Sequence, residues 1–556
     1  MSSERLIYLP LGGAGEIGMN AYVYGYGEPG RERLILVDLG VAFPDMDTSP
    51  GVDLIMPDIT WLADRADQLE GIFITHAHED HIGAVAHLYS RLNNVPIFAR
   101  AFTANIARRK MEEHGQDPEA VKIISPWPEV TKLGPFTVGA VPISHSIPES
   151  GGLVIDSPAG RIVHTGDFKL DENPIVGEAF DPDLWASISK DGVKALVCDS
   201  TNVFSPHAGR SESELGGNIT QLISEATGMV AATTFASNVA RVKTLAEAGE
   251  RAGRSIVLLG RAMRRMIEAS IETGVLTDFP KVLQPEEAGE IPRENLMLIT
   301  TGSQGERRAA SAQLARGKYR GLELKEGDLF LFSSKTIPGN EKGVIWIINQ
   351  FSERGVDVVD DSSSLYHVSG HANGPDLERM HDIVKPTMLI PMHGEHRHLR
   401  RHSRLAEAKG MASAIVVNGM MMDLTGDRPK VAEYIDTGRT YLDGSVKIGA
   451  MDGIVRDRIR MALNGHVVVT AILDEDDEPL GEPWVDIKGL AETGQSNAAL
   501  VEVMEEDLNQ FLMRAGKKTL KDDDKLEQEL KRIARQSANA EIGKKPEVTV
   551  VVSRMR

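Results

Sequence analysis

The chain has 556 residues, a formal net charge of −20 and an apolar fraction of 41%. This length exceeds what one hydrophobic core supports, and it predicts about two to four domains of a globular protein. The acidic balance argues against a general nucleic-acid coat protein, which is normally basic. It is compatible with an enzyme whose binding groove is locally positive.

Three features predict a cytoplasmic protein with no membrane association. No apolar run approaches the roughly 20 residues that a membrane span needs. The first six residues lack the charged and apolar regions of a secretion signal. Cys198 is the only cysteine, so no intrachain disulfide can form. We therefore expect packing, and not disulfides, to stabilise the chain.

The first part of the chain is typical of two packed sheets. Up to about residue 199, short apolar strands are separated by Gly, Pro and Asp turns, and few long helical patterns interrupt them. The predicted strands include 34–37, 136–143, 152–156 and 195–198. We expect two sheets packed face to face, with helices on the outside.

A glycine-rich motif near the start resembles a dinucleotide fingerprint. Residues 13–18 fit G-x-G-x-x-G, and Asp38 follows twenty positions after the last glycine. That fingerprint requires a helix that begins at the glycines. Residues 20–26 instead alternate with period two, which predicts a strand. A nicotinamide or flavin site is therefore the less favoured interpretation.

Residues 75–83 form the most informative stretch of the sequence. His76, His78, Asp80 and His81 follow directly after the apolar run 71–74, which predicts a loop that leaves a buried strand. A helix is expected to begin within 82–88. Imidazole and carboxylate groups suit zinc or manganese, and four of them exceed what one tetrahedral ion readily uses. The sequence therefore predicts a site for two adjacent metal ions.

Further candidate ligands stand at the ends of other predicted strands. His145 follows residues 138–143, Asp167 follows 161–163, and His393 follows 388–390. A single histidine of this kind is more often a hydrogen-bonded surface residue. The recurrence of such residues at strand ends, beside Gly, Ser or Pro, makes the set much stronger than its members.

Between about 205 and 361 the pattern changes to strands that alternate with helices. Strands at 230–235, 255–259 and 295–299 lie near helical stretches such as 238–252, which predicts a parallel α/β module. Strand-and-turn character then returns, with a second histidine cluster around 391–396. We infer a module inserted into a host domain whose last part completes the site.

The C-terminal part predicts a small separate α/β domain. Strands are expected at 466–473, 483–487 and 548–552, and helices at 497–514 and 520–534. The predicted limits of all parts follow from these patterns: 1–204 for the first part of the host domain, 205–361 for the inserted domain, 362–436 for the closing part of the host, 437–460 for a linker, and 461–556 for the C-terminal domain.

The ligand order resembles a known fold. His76-x-His78-x-Asp80-His81, followed by His145 and Asp167, is similar to the metallo-β-lactamase pattern. Residues 199–202, 369–371 and 391–395 resemble motifs of its β-CASP nucleic-acid branch. The segments 12–18, 164–169, 235–238 and 337–341 narrow the resemblance, over essentially the whole chain, to the ribonuclease J family. Arg307 stands where that pattern suggests a proline. The resemblance implies an α/β protein, namely a metallo-β-lactamase αββα sandwich with an inserted β-CASP α/β domain and a small C-terminal α/β domain.

The resemblance also implies the chemistry. Two divalent ions, Zn²⁺ or Mn²⁺, would activate a water molecule against a phosphodiester, so no Ser or Cys nucleophile is needed. The implied ligands are His76, His78 and His145 for one ion, Asp80, His81 and His393 for the other, and Asp167 between them. The expected catalytic residues are Asp80, His81, His371 as proton donor or scissile-phosphate ligand, and Asp38, which orients the histidine loop. A purely structural turn at Asp38 is the alternative.

By the same resemblance, the substrate is single-stranded RNA with a 5′-monophosphate. We expect 5′-to-3′ exonuclease activity with some endonuclease activity, in rRNA processing and mRNA decay. The predicted RNA or phosphate contacts are Ser237, Asn238, Arg241, His367, Ser369, Gly370, His371 and Phe43. Asn238 as a helix cap and Phe43 as a packing residue are open alternatives. Further candidate contacts are Arg261, Arg264, Arg265, Lys335 and Arg397.

Three other functions compete with this prediction. A thioester or lactam hydrolase on the same fold is disfavoured, because a small-molecule enzyme has no need for the inserted module. A non-catalytic RNA-binding subunit is disfavoured by the complete ligand set. DNA remains an alternative substrate, since discrimination depends on contacts to the 2′-hydroxyl. A homodimer or homotetramer, and participation in an RNA-degradation complex, are the expected assemblies.

Overall fold

The computed structural model describes residues 4–555, which form two compact units. One comprises 4–42 and Met56–Arg439, and the other comprises Phe43–Ile55 and 440–555. Residues 1–3 and 556 of the predicted first and last domains lie outside the described range. The domain limits proposed from the sequence remain predictions.

Residues 4–199 contain thirteen of the 29 strands in the described part of the chain. Their elements in chain order are β1 (Arg5–Gly12), β2 (Ala14–Gly15), β3 (Ala21–Gly27), β4 (Arg33–Val37), β5 (Leu54–Pro57), α1 (Thr60–Ala63), β6 (Leu69–Ile74), α2 (Glu79–Ile82), α3 (Val85–Leu88), β7 (Ile97–Ala99), α4 (Ala101–Glu113), β8 (Val121–Ile123), β9 (Thr131–Leu133), β10 (Phe136–Pro142), β11 (Gly151–Ser157), β12 (Gly160–His164), α5 (Pro182–Ile188) and β13 (Ala195–Asp199).

The middle of the chain alternates helices with strands. These elements are α6 (Gly216–Glu225), β14 (Val230–Thr233), α7 (Val239–Arg251), β15 (Ser255–Leu259), α8 (Arg261–Glu272), β16 (Val282–Leu283), β17 (Leu296–Thr300), α9 (Ala310–Arg316), β18 (Leu329–Phe332), α10 (Glu341–Ser352) and β19 (Asp357–Val359). The elements that follow, up to residue 434, are α11 (Gly374–Val384), β20 (Met388–Met392), β21 (Gly394–Glu395), α12 (His396–Ala408), β22 (Ala412–Ser413), β23 (Met420–Asp423) and β24 (Lys430–Tyr434).

The last part of the chain contains a small α/β arrangement. Its elements are β25 (Arg439–Asp443), β26 (Val446–Gly449), α13 (Ile454–Asn464), β27 (His466–Leu473), β28 (Trp484–Lys488), α14 (Leu500–Arg514), α15 (Lys517–Leu520), α16 (Asp523–Ile542) and β29 (Glu547–Arg554). Elsewhere within residues 4–555, the chain has five 3-10 helices, at Tyr89–Arg91, Pro118–Ala120, Glu212–Glu214, Glu287–Glu290 and Arg293–Asn295.

Two large sheets form the centre of the first unit. Their strand orders are β24-β23-β1-β3-β4-β6-β7-β8 and β22-β20-β13-β12-β11-β10-β9. Apolar side chains from both sheets meet in one buried cluster, for example Ile35 and Phe73 from the first and Ile155, Val197 and Ile390 from the second. The prediction of two packed sheets is confirmed.

The topology places the predicted ligands at one edge of this sandwich. Strands β4, β6, β7 and β8 are parallel neighbours, as are β12, β13 and β20. The carboxyl ends of parallel strands share a sheet edge, where open α/β sheets bind their ligands. Asp38, Asp199 and His393 stand at or just after the ends of β4, β13 and β20.

The inserted module and the C-terminal part also follow the predicted patterns. The module contains one parallel six-stranded sheet, in the order β16-β15-β17-β14-β18-β19, with buried apolar clusters on both faces. In the second unit, α14 and α16 bury one face of the sheet β28-β27-β29. The segment 437–460, predicted to be a linker, contains the β25–β26 hairpin and the start of α13.

The histidine-rich segment 75–83 differs from the sequence prediction in one detail. The helix expected to begin within 82–88 is present as the short helix α3, but another short helix, α2, precedes it, so Asp80 and His81 lie in a helical turn and not in an open loop. Among residues 4–555, no helix has the length and apolar character needed to cross a membrane.

Candidate metal centre

Three imidazoles converge in what we call the three-histidine cluster, formed by His76, His78 and His145. His78 Nδ1 lies 3.1 Å from His76 Nε2 and 3.1 Å from His145 Nε2. Burial, together with neighbouring imidazoles, lowers the pKa of His76 and His145 well below the usual range. Burial lowers the pKa of His78 to about 4. All three rings are therefore neutral near pH 7 and offer lone pairs to a cation.

Hydrogen bonds on the far side of two rings set their orientation. His145 Nδ1 donates to the Gly370 carbonyl oxygen at 2.6 Å, which leaves Nε2 for the cluster. His76 Nδ1 lies 3.0 Å from Thr75 Oγ1, and that hydroxyl donates to Asp38 Oδ2 at 2.8 Å. Such partners fix the tautomer of a metal-binding histidine.

Beside it lies a mixed cluster of Asp80, His81, Asp167 and His393. His81 Nε2 lies 3.2 Å from Asp167 Oδ2 and 3.7 Å from Asp80 Oδ2. His393 Nδ1 lies 2.9 Å from Asp167 Oδ1, and its Nε2 lies 3.3 Å from Asp80 Oδ2. The side chains of His81, Asp167 and His393 are almost completely buried. Four ligand groups thus converge in a space from which water is largely excluded.

The mixed cluster strongly favours positive charge. Burial lowers the pKa of His81, but the carboxylates of Asp167, Asp80 and Asp38 outweigh burial and raise it to about 10. Asp167 likewise raises the pKa of His393 well above its usual range against the effect of burial. In return, the two histidines hold the pKa of the Asp80 and Asp167 carboxyls below the usual range, although burial acts in the opposite direction.

Asp38 connects the two clusters from behind. Its carboxylate accepts hydrogen bonds from His81 Nδ1 at 2.7 Å, from Thr75 N at 2.8 Å and from Thr75 Oγ1 at 2.8 Å. Burial raises the pKa of Asp38, and these hydrogen bonds partly offset the effect. Because Thr75 in turn contacts His76, one carboxylate orients a ring in each cluster. If Asp38 only formed a structural turn, which is the alternative interpretation, contacts that lead to rings of both clusters would not be needed.

The residues present fit divalent metal ions. Imidazole nitrogens and carboxylate oxygens are the ligand types that zinc and manganese accept. Within residues 4–555, Asp167 Oδ1 and His393 Nε2 are buried without a well-formed hydrogen bond, although each lies beside an ion-pair partner. Buried polar atoms of this kind are rare unless a ligand satisfies them.

His371 adjoins both clusters and carries its own carboxylate partner. Its Nδ1 donates to Asp199 Oδ2 at 2.8 Å, and its side chain is 23% exposed. Burial lowers the pKa of His371, but Asp199 and Asp167 raise it above the usual value. These carboxylates therefore favour the protonated form of His371, and because Nδ1 faces Asp199, Nε2 is the ring nitrogen directed away from it.

Comparison with known proteins finds matches along most of the chain. Four family models match: "Beta-lactamase superfamily domain" at 46–187, "Ribonuclease J, beta-CASP domain" at 227–351, "Zn-dependent metallo-hydrolase RNA specificity domain" at 355–417, and "Ribonuclease J C-terminal domain" at 453–555. Ribonuclease J of Sinorhizobium meliloti is 40% identical, with 99% of this chain and 98% of the relative covered. The chain belongs to the ribonuclease J family.

Two other relatives have similar coverage. Ribonuclease J of Mycolicibacterium smegmatis is 35% identical over 90% of this chain and 89% of its own. Ribonuclease J 1 of Streptococcus pyogenes is 37% identical over 84% of this chain and 82% of its own. The predicted metallo-β-lactamase fold with a β-CASP insertion and a C-terminal domain is confirmed. As a ribonuclease J family member, the protein is a metal-dependent ribonuclease, and hence a hydrolase.

Several residues that the resemblance to ribonuclease J predicts as phosphate contacts lie beside these clusters. Ser369 Oγ accepts hydrogen bonds from Asn202 Nδ2 at 2.6 Å and from the His371 backbone N–H at 3.2 Å. Gly370 contacts His145 through its carbonyl oxygen. Burial and nearby cations, chiefly Arg241 and Lys335, lower the pKa of His367 to about 3. His367 therefore stands in a positive field, two residues before the turn 369–371.

Arg241 requires a correction. It was predicted to contact RNA, but its side chain is completely buried. It forms an ion pair with Glu212 and donates to the Ser333 carbonyl oxygen at 2.6 Å. A buried guanidinium whose donors are already used cannot bind a phosphate directly without breaking these contacts. Arg241 therefore contributes positive field and holds the inserted module together.

The remaining residues predicted to contact RNA differ in their exposure and in their hydrogen-bond or ion-pair partners. Asn238 Oδ1 accepts from the Arg241 backbone N–H at 2.9 Å, which makes it the N-cap of α7. Ser237 precedes it and is half-buried. Phe43 is 67% exposed and belongs to the other compact unit. Of the further arginines, Arg264 donates to the Leu258 carbonyl oxygen, whereas Arg265 and Arg397 form surface ion pairs with Glu113 and Glu395, and Arg261 and Lys335 are exposed.

Sequence reasoning missed two residues that contact the ligands. Asp199 appeared only within a motif, although its position at the end of a buried strand was a usable signal. Asn20 contacts Asp80 and His81, and nothing in the sequence pattern indicated it.

Proposed function

We propose that this enzyme degrades single-stranded RNA from the 5′ end, that it prefers a 5′-monophosphate, and that it cuts internally as a second activity. The observation that carries the proposal is the turn 369–371. Through Gly370 it contacts the ligand His145, through His371 it contacts Asp199, and through Ser369 it offers a hydroxyl for a phosphate.

In this proposal, two divalent ions, Zn²⁺ or Mn²⁺, are held by the predicted ligands. His76, His78 and His145 would hold one ion, Asp80, His81 and His393 would hold the other, and Asp167, which adjoins both groups, would serve as a further ligand. Such ions supply Lewis-acid stabilisation of the phosphodiester and an activated water nucleophile. Asp38 keeps the rings of His81 and His76 in their ligand orientations, His76 through Thr75.

His371 supplies the proton for the leaving group. Asp199 accepts from Nδ1, so the Nε2–H is the one available to the leaving oxygen of the RNA. Asp199 and Asp167 raise the pKa of His371 despite burial, which favours the protonated ring that a proton donor needs. General acid catalysis of this type contributes about 10²-fold to 10⁴-fold to a reaction rate.

A terminal phosphate would be recognised by the positive field around His367. Burial together with Arg241, Lys335, Lys169 and Arg210 lowers the pKa of this histidine, which indicates a local excess of positive charge. An anion lowers that repulsion. Ser369, the Gly370 backbone N–H and Ser237 are the proposed donors to the phosphate, and Asn238 orders the helix start that follows.

The cellular setting is proposed on the resemblance to ribonuclease J and on composition. The enzyme acts in rRNA processing and mRNA decay in the cytoplasm, as a homodimer or homotetramer within an RNA-degradation complex. The inserted β-CASP domain is proposed to extend over 205–361. A single cysteine supports a reducing compartment.

The test is nucleotide release from one 3′-labelled RNA that carries a 5′-monophosphate, triphosphate or hydroxyl. Reactions contain Mn²⁺ or Zn²⁺, and the matching DNA and an Asp80→Ala/His81→Ala variant are run beside them. The expected result is mononucleotides, released fastest from the monophosphate RNA and not at all by the variant. Equal release from all three ends would refute end recognition, and equal stability of the RNA with both proteins would refute the ribonuclease reaction.

A further inference from the structure

The glycine-rich segment 12–20, which resembles a dinucleotide fingerprint, has a different position in the structure. It connects β1 with β3 and contains only the two-residue strand β2, so no helix begins at its glycines. The proposed reaction assigns it no role. The segment nevertheless contacts two parts of the mixed cluster, namely residues 80–81 and residue 393.

On one side, Asn20 binds the turn that carries Asp80 and His81. The Asn20 backbone N–H donates to the Asp80 carbonyl oxygen at 2.9 Å, and Asn20 Nδ2 donates to the same oxygen at 3.0 Å. Nδ2 also lies 2.9 Å from His81 Nε2 and 3.4 Å from Asp80 Oδ2. The side chain is completely buried, so water does not compete for these contacts.

The orientation of the Asn20 amide is determined by Tyr22. The Tyr22 hydroxyl donates to Asn20 Oδ1 at 2.7 Å, so the amide nitrogen must face Asp80. The backbone of Asn20 is also held in place. The Gly40 N–H donates to the Asn20 carbonyl oxygen at 3.0 Å. A Cβ on Gly40 would lie 1.7 Å from the Asp80 carbonyl oxygen, so only glycine allows this approach.

On the other side, the same segment binds His393. The His393 backbone N–H donates to the Gly13 carbonyl oxygen at 2.8 Å. Residues Ala14 and Gly15 then pair with Gly394 and Glu395 as parallel strands β2 and β21. His393 has a positive φ of 49°, which is uncommon for a residue with a side chain and must be held by its neighbours.

We infer that segment 12–20 is a clip that joins residues 80–81 to His393, and that Asn20 is a positioning residue which sets the affinity of the mixed cluster for a divalent cation. This inference rests on the proposed assignment of that cluster as a metal site. Gly13 illustrates why the motif needs glycine without a dinucleotide: a Cβ there would lie 2.3 Å from Asn20 Oδ1 and 2.4 Å from the Tyr22 hydroxyl, and its carbonyl oxygen is the one that His393 binds.

The test measures Mn²⁺ binding to the full-length, chelator-treated protein by isothermal titration calorimetry. Asn20→Leu keeps the approximate side-chain shape but removes the donor. We expect the affinity of one of two Mn²⁺ sites to fall by about 10-fold to 100-fold, the usual effect of losing a partner of a metal ligand. The affinity of the other site should be unchanged, and RNA hydrolysis should recover when Mn²⁺ is raised to saturation.

Two tyrosine variants give a matched comparison. Tyr22→Phe removes the hydroxyl that orients Asn20, so a smaller loss of about 2-fold to 10-fold is expected at the same site, the effect of one hydrogen bond. Tyr8 packs near Tyr22, with ring centroids 6.2 Å apart, and its hydroxyl has no hydrogen-bond partner within residues 4–555. Tyr8→Phe should therefore leave both affinities unchanged.

The outcomes separate this inference from the proposed function. If Asp80→Ala/His81→Ala loses one Mn²⁺ site while Asn20→Leu and Tyr22→Phe bind like the wild type, the positioning role is overturned and the metal assignment stands. If the Asp80→Ala/His81→Ala protein also keeps both affinities, the metal assignment itself fails. An Asn20→Leu protein that loses both sites equally would indicate general unfolding, and Tyr22→Phe then decides the question.

Discussion

The three-histidine cluster and the mixed cluster share the segment 76–81 but differ in charge. In the first cluster, burial and neighbouring rings lower the pKa of every histidine, so its nitrogens are neutral at pH 7. In the second, carboxylates raise the pKa of His81 to about 10 and that of His393 well above its usual range. A proton thus competes with a metal ion in one cluster and not in the other.

The two clusters also differ in how they are held. The first depends on the segment around His76, on the contact from His145 to Gly370 and, indirectly through Thr75, on Asp38. The second brings together residues 80–81, 167 and 393 and depends on contacts with Asp38, Asn20 and Gly13. We conclude that the mixed cluster is the more sensitive to changes elsewhere in the fold and to pH.

The largest effect is expected from Asp167→Ala, because Asp167 adjoins both clusters. Its Oδ2 lies 3.2 Å from His81 Nε2 and 3.9 Å from His76 Nε2. RNA hydrolysis should fall by at least about 1,000-fold, since several kcal/mol of metal-derived stabilisation are lost. Metal content measured by mass spectrometry should fall as well. Wild-type metal content in this variant would show that the carboxylate is not shared.

His371→Gln should act on the chemical step and leave both clusters intact. We expect kcat to fall by about 10²-fold to 10⁴-fold with unchanged metal content, because the proton donor is lost. Single-turnover hydrolysis with saturating RNA measures the effect. His207→Gln, at an exposed histidine, is the control and should behave like the wild type. A similar loss in both variants would contradict a specific role for His371.

Asp38→Asn should separate the clusters, because Asp38 accepts directly from His81 and reaches His76 only through Thr75. The amide cannot accept all three hydrogen bonds that the carboxylate accepts. Metal affinity of the mixed cluster should fall by about 10-fold to 100-fold, with a smaller change at the three-histidine cluster. Calorimetric titration with Mn²⁺ provides the measurement. Equal losses at both sites would remove the asymmetry.

The smallest effect per step is expected from pH. Because the pKa of His81 is about 10, this ring is protonated at pH 7, and a metal ion must displace its proton. Since the pKa of His393 is raised as well, at least one proton is displaced, and the affinity of the mixed cluster should rise by at least about 10-fold per pH unit between about pH 6 and 8. The pKa of His78 is about 4, so the three-histidine cluster should show no such rise. Parallel slopes for the two sites would contradict the difference in charge.

Much of this organisation was predictable from local sequence. Strand 255–259 was predicted with the bounds that the structure has, and 466–473 likewise. The period-two pattern of 20–26 correctly indicated a strand after the glycines, which removed the dinucleotide interpretation. These successes share a cause: alternation and strand-end punctuation are properties of neighbouring residues.

Other features required the folded chain. The partner of His371 is Asp199, and the Arg241 guanidinium is neutralised by Glu212, although the members of each pair are far apart in sequence. No pattern in the sequence distinguishes a buried, paired arginine from one that is free to bind phosphate.

The sequence by itself therefore determined the family, the two-sheet host with its inserted module, and the convergence of histidines and aspartates at strand ends. Only the tertiary structure decided which nitrogens are neutral, which carboxylate serves which ring, and that Asn20 contacts the metal-binding turn. The physical reason is that the charge state and orientation of a side chain depend on burial and on partners across the fold. Strand periodicity depends only on the direction of successive side chains.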